Sequence, residues 1–350
     1  MPKNERLAAI KKLEEVRKSR VVTYLTADRG IVHLTVAEDV LRIIYRHLES
    51  MKSVDRLDLF VYSRGGDTHT PWPLVSISRH FGKEFNVLVP FRAHSAATQI
   101  AMGADHIVMG PMGELTQVDP SLSTDFTPGN PLQAGQTLYV SVEDLRGYFD
   151  FFADHVRATE ASLPAVIDLL REKLHPLAIG QVHRAHGSIR YIAESLLATH
   201  IKDKDKVERI AKAMVTELYV HNHKIKQPEA NKIGLPAVAA TPAEAEAMWA
   251  LYELYEADMR LNEPIKPQSI FKDKMDQYVE LNAQSMVYVE SSSRTDVFRM
   301  NILATRALAG SMTQKAQLTP PAPGAAALQQ RAIWGGNVQF QTELEWWTTE

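Results

Sequence analysis

The sequence predicts an α/β protein: a parallel sheet with helices on both faces, then a helical region and a small C-terminal β extension. Three observations lead there. Strand-like and helix-like runs alternate through residues 21–109. Two of the strand-like runs, Leu57 to Tyr62 and His106 to Met109, are almost continuously apolar, as strands covered on both faces are. Sequential parallel strands need right-handed crossovers, and the intervening runs have helical periodicity and helix punctuation.

Taken in order, residues 1–20 carry Leu7, Ile10, Leu13 and Val16 at three-residue spacing, which predicts an amphipathic helix without a signal-peptide core. Residues 21–26 are rich in β-branched types and read as a strand. Thr35 and Glu38 form a T-x-x-E capping box that should open a helix lined by Val40, Ile43, Ile44 and Leu48. After the strand at 57–62, Pro71 and Pro73 open a helix that Gly82 terminates. A strand at 86–89 and a small-residue helix from Ser95 to Met102, stopped by Gly103, lead to the strand at 106–109.

Residues 121–140 have the Ser/Thr/Pro/Gly chemistry of a loop. Helices are expected at about 162–174, 177–200 and 203–220, and Ser141 and Thr241 (with Glu244) should cap two more. Two alternating strands, 285–290 and 295–302, follow; 316–330 reads as a Pro/Ala/Gln-rich linker, and 332–347 as an extended aromatic tail docking on a subunit or neighbour. The domain division is 1–20, an N-terminal helix; 21–240, the main domain; and 241–350, a helix, hairpin and tail.

Composition narrows the function. The 39 basic and 42 acidic residues are mixed along the chain, so no long-range field favours nucleic acid or an anionic membrane. No stretch approaches the roughly 20 apolar residues that span a bilayer. The absence of cysteine removes disulfides, thiolate metal sites and cysteine nucleophiles, and fits a cytoplasmic protein. No cofactor is expected. His221 and His223 lack a third metal ligand at a recognisable spacing, so no metal site is expected either.

Two segments carry chemistry: Tyr62-Ser63-Arg64-Gly65-Gly66-Asp67 after one buried strand, and His94-Ser95-Ala96-Ala97-Thr98 after the next. Both lie where strands of a parallel sheet run into helices, the end at which ligands gather. Paired glycines let a backbone turn its N–H groups outward, and a serine at a helix start sits among unpaired donors in a positive field. A serine hydroxyl also needs a histidine or lysine within about 3 Å to take its proton. Each residue has a plainer reading as well: Ser95 as a helix cap, Gly65-Gly66 as a tight turn, His175 as a cap before Pro176, Asp119 as a turn residue before Pro120.

From Leu57 through Leu122, the order strand, S-R-G-G-D, helix, strand, H-S-A-A-T, A-D-H-I-V-M-G and Q-V-D-P resembles the serine dehydrogenase proteinase family. That family is related to the Clp proteolytic subunit and signal peptide peptidase A, which share the crotonase-like fold. Weaker likeness continues at residues 174–180 and 221–235, so the resemblance covers about residues 20–240. It implies a serine peptidase with Ser95 as nucleophile and the N–H groups of Gly66 and Ala96 as oxyanion hole. It also implies a homo-oligomer taking peptides or unfolded protein.

The chain departs from the family at Arg64, where proline is usual, at Ala97, where glycine is, and at Thr116-Gln117, where Gly-Pro is. For the general base, His175 in the family-like H-P-L-A-I-G segment comes first, with Asp119 to orient it; Lys173, His183, His221 and His94 are alternatives. Two other readings remain: an oligomeric scaffold that has lost its base, and a crotonase-like acyl-CoA enzyme using the same two N–H donors.

Overall fold

The computed structural model describes residues 3–30, 32–118, 121–122, 140–157, 159–217, 223–266, 270–271, 278–306, 333–335 and 338–350. The chain opens with α1 (Lys3–Arg17) and then alternates β1 (Arg20–Thr26), α2 (Val40–Met51), β2 (Val54–Tyr62), α3 (Pro71–Phe81), β3 (Gly82–Val89), α4 (Ala96–Met102) and β4 (His106–Met109). Helices α5 (Val142–Asp154), α6 (Leu163–Arg171), α7 (Pro176–Ala198), α8 (Lys204–Lys212) and α9 (Gln227–Ile233) follow. Strand β5 (Ala237–Ala239) and α10 (Pro242–Met259) precede the hairpin β6 (Tyr278–Ser291) and β7 (Arg294–Arg306), then β8 (Ile333–Gly335) and β9 (Val338–Thr349).

One nine-stranded sheet, in the order β5-β4-β3-β2-β1-β6-β7-β9-β8, unites them. The five strands β5 to β1 are parallel, as their buried apolar sequences predict, and the other four join antiparallel. Because successive strand residues point to opposite faces, adjacent residues of β1 report both layers. The Thr23 hydroxyl meets the Tyr255 hydroxyl of α10 at 2.8 Å, whereas Tyr24 lies beside Val40 of α2. Helices α1 and α10 thus cover one face, while α2, α3 and α4 pack on the other with α7 behind α3 and α4.

Three expectations need correction. The helix after β1 starts at Val40, with Asp39 before it and no capping box, because Val36 is drawn into pairing with Gly66 and the helix begins beyond it. The C-terminal β extension is larger than expected: β6 pairs with β1 and carries the main sheet onward through four antiparallel strands. The aromatic tail docks on its own chain. Strand β9 pairs with β7, Trp347 packs against Phe298, and its indole N–H donates to Asp39 at 2.8 Å. The expected linker at 316–330 lies outside the described residues. Among the described residues no helix is long and apolar enough to cross a membrane.

Candidate active site

The carboxyl ends of β2 and β3 are stitched into one platform. The Ser63 N–H donates to the Arg92 carbonyl at 2.9 Å, and the His94 N–H donates to the Ser63 carbonyl at 3.0 Å. This brings the glycine turn against the serine. A Cβ placed on Gly65, whose φ is +103°, would stand 2.6 Å from Ser95 Cβ and 3.2 Å from its Oγ. Only glycine fits that approach.

Gly66 is fixed by a different neighbour. Val36 donates to the Gly65 carbonyl at 2.7 Å and accepts from the Asp67 N–H at 2.8 Å, so Gly66 presents its own N–H to the opposite edge. A Cβ on Gly66 would lie 2.4 Å from both the nitrogen and the oxygen of Val36. Among the described residues, neither the Gly66 N–H nor the Ala96 N–H has a hydrogen-bond acceptor.

Ser95 occupies the most informative backbone position. It precedes α4 with φ 49° and ψ −114°, a conformation that costs a non-glycine residue about 1–3 kcal/mol and persists only where its surroundings impose it. Those surroundings are visible. The Ser95 N–H donates to Thr116 Oγ1 at 2.9 Å, the Ala97 N–H to the His94 carbonyl at 2.9 Å, and the Thr98 hydroxyl to the Ala93 carbonyl at 2.6 Å. Helix α4 is buried along its whole length, while Ser95 itself is partly exposed. Its side chain makes no cap bond to α4, and its hydroxyl has no hydrogen-bond partner among the described residues. The simple helix-cap reading of Ser95 therefore does not describe this turn.

Charged groups ring the turn. Asp28, almost buried, binds Arg64 at 3.1 Å and Arg92 at 2.7 Å. Glu114 accepts from His94 Nε2 at 3.0 Å and from Lys226 Nζ at 3.4 Å. Burial, then the nearby Lys224 cation, pushes the His94 pKa down to about 4 against the pull of Glu114. The imidazole is therefore neutral at pH 7, donates from Nε2, and is committed to Glu114.

Lys224 arrives through tertiary pairing. Leu115 and Ile225 exchange both backbone hydrogen bonds, at 3.0 and 2.9 Å, in an isolated antiparallel bridge. That register sets Lys224 beside Thr116, the residue that holds the Ser95 N–H, and near enough to His94, Glu114, Arg64 and Arg92 for their charges to act on one another. Burial lowers the Lys224 pKa; Glu114 opposes the shift, and Arg64 and Arg92 reinforce it.

The structure thus brings Ser95, Ala96 and the Gly65-Gly66 turn together. It gives His175 another occupation: exposed at the start of α7, its Nδ1 accepts from the Leu177 N–H at 3.1 Å, and no hydrogen bond joins it to Ser95. Lys173 and His183 are exposed, and His94 is bound to Glu114. Asp119 and His221 lie outside the described residues. His223 bonds Glu229 at 2.7 Å, and no metal-holding cluster of three ligands occurs among the described residues. Asp28, Glu114 and Arg92 escaped the sequence reading, since nothing local marks them, and Thr116 entered it only as a departure from the family pattern.

A serine–histidine–carboxylate chain is present away from Ser95 and is closed to solvent. His47 Nδ1 bonds the Ser291 hydroxyl at 2.9 Å and its Nε2 bonds Asp296 at 3.0 Å. With exposures of 0, 0 and 1 % for His47, Ser291 and Asp296, this chain fastens α2 to the β6–β7 hairpin and offers no approach to a substrate.

No family model matches this chain. Two uncharacterized proteins of Methanocaldococcus jannaschii are similar to it. One is 24% identical over 264 residues, 73% of this chain and 80% of the relative; the other is 22% identical over 268 residues, 73% and 78%. Among solved structures, a serine-to-alanine variant of 1510-N, a membrane-bound stomatin-specific protease, aligns with 70% of this chain and 90% of its own. The TM-score is 0.38 and the identity 14%.

Proposed function

We propose that this protein is a serine peptidase that cleaves peptide bonds through an acyl-enzyme on Ser95. The observation that carries the reading is the Ser95 backbone: a strained turn between strand and helix, held by Thr116 and pressed against Gly65, with its hydroxyl uncommitted. A turn of that kind lifts a nucleophile clear of the sheet. The Ser95 Oγ adds to the scissile carbonyl carbon while its proton passes to a neighbouring amine. The N–H groups of Gly66 and Ala96 hold the oxyanion, a contribution of about 3–4 kcal/mol per donor in sites of this type. The proton then goes to the departing amine, and water releases the acyl group from Ser95.

Lys224 is the proton acceptor in this reading: the Leu115–Ile225 bridge brings its backbone beside Thr116, which binds the Ser95 N–H, and burial lowers its pKa. His175, the sequence-based choice, is occupied as the cap of α7. An active-site phosphonate probe is expected to label Ser95, and short unstructured peptides to be hydrolysed. Ser95→Ala should abolish both. If the variant labels and cleaves like the parent, the nucleophile lies elsewhere and the reading is wrong.

A further inference from the structure

The residues flanking Ser95 carry more cations than its carboxylates can neutralise. Arg64, Arg92 and Lys226 stand around Asp28 and Glu114, and His94 adds no charge at neutral pH. Asp28 is shared by both guanidiniums, and Glu114 by Arg92 at 3.7 Å and Lys226 at 3.4 Å, so three cations meet two carboxylates. Arg64 is the more available: its side chain is 50% exposed, it makes one described hydrogen bond, and it immediately precedes the Gly65-Gly66 turn. Arg92, 33% exposed, follows β3 three residues before Ser95. A planar guanidinium with free donors matches a carboxylate in geometry as well as charge.

We infer that Arg64, supported by Arg92, forms a subsite for a carboxylate of the substrate beside the bond cleaved at Ser95. The inference builds on the peptidase reading and names the substrate class: peptides with Asp, Glu or a free C-terminal carboxylate next to the scissile bond. Arg64, which stands where proline is usual in the family that the sequence resembles, becomes a recognition residue held in place by Asp28.

The test separates binding from turnover. In a Ser95→Ala background, fluorescently labelled peptides of matched sequence are titrated by anisotropy at low salt: one with acidic residues at the centre, one with their amides, and one neutral peptide ending in either a free carboxylate or an amide. The acidic peptide is expected to bind about tenfold tighter than its amide, with the preference falling as salt rises. If the free terminus gives the preference instead, the subsite reads a chain end; if both do, it reads any carboxylate.

Adding Arg64→Gln should bring the ratio of acidic to amide affinity close to one, and Arg64→Lys should keep part of it. Equal binding across both pairs, acidic against amide side chains and free against amidated terminus, or a ratio that survives Arg64→Gln, overturns the subsite. Neither outcome depends on turnover. Failure of the peptidase reading is seen separately, as cleavage of the neutral peptide by the Ser95→Ala protein at the parent rate.

Discussion

Thr116 is the position where a small change should separate catalysis from folding. Its hydroxyl accepts the Ser95 N–H at 2.9 Å and donates to the Gln117 carbonyl at 3.1 Å, and the residue is 4% exposed. Thr116→Val keeps shape and volume while removing both bonds. The Gln117 carbonyl loses a donor, and the Ser95 N–H is left without an acceptor, in a turn that already holds an unfavourable φ. A buried donor deprived of its partner costs about 1–3 kcal/mol, so unfolding in urea should show a loss in that range with an unchanged m-value.

The functional effect of Thr116→Val should be larger than the fold's. Once its N–H is released, Ser95 can relax out of the strained turn, and the rate of phosphonate labelling should fall by tenfold or more while peptide affinity changes little. Thr116→Ser restores the hydroxyl and should recover labelling. Parent-like labelling by Thr116→Val, or no recovery in Thr116→Ser, would refute the idea that this hydroxyl holds the nucleophile in place.

Further outcomes follow from neighbouring groups. Gly65→Ala should cost about 1–2 kcal/mol for its positive φ alone, and the new Cβ, 2.6 Å from Ser95 Cβ, should also suppress labelling, which a parent-like rate would disprove. Labelling should rise with pH through a midpoint below that of an ordinary lysine and vanish in Lys224→Met; an unshifted profile in that variant removes Lys224 as proton acceptor. The His94 imidazole, followed by NMR, should titrate near pH 4. Because the unfolded chain takes up that proton at about pH 6.5, stability from His94 is complete above that pH and lost as pH falls toward 4. At Asp296, burial opposes ionisation, but bonds from His47, Arg294 and Thr349 prevail and hold the pKa below the usual range. Its stability is therefore present above about pH 4 and lost as pH falls below, and the gap between parent and Asp296→Asn urea midpoints should close over that window.

The parallel half of the sheet was legible because burial on both faces leaves a local mark: Leu57 to Tyr62 and His106 to Met109 admit almost no polar residue, and the helices between them carry their own stops at Gly82 and Gly103. The capping box at Thr241 appears in the structure, with the Glu244 N–H donating to Thr241 and Glu244 accepting from the Thr241 N–H. The matching pattern at Thr35 does not, because a long-range pairing with Gly66 outweighs a local cap worth about 1 kcal/mol. Arg6 shows the same limit from the other side. A charge in an amphipathic helix reads as solvent-facing, yet here it is 2% exposed and bound to Glu290 at 2.8 Å and Asp258 at 3.0 Å, partners more than 250 positions away.

The candidate site divides along the same line. The Gly65-Gly66 turn and Ser95 were legible because each sits at the end of a strand that announces itself, and neighbouring parallel strands bring their ends together. The groups that would make the serine reactive come from elsewhere in the chain. Thr116 follows a strand of only two residues, Glu114–Leu115, and Lys224 reaches it through one isolated bridge. In the proposed reading the nucleophile's position is thus written into local strand–turn–helix geometry, whereas its proton acceptor is specified by a contact that needs the finished fold. A landmark such as His175 stands out in the sequence yet caps its own helix, while the amine beside Thr116 is brought there only by the pairing of residues 115 and 225.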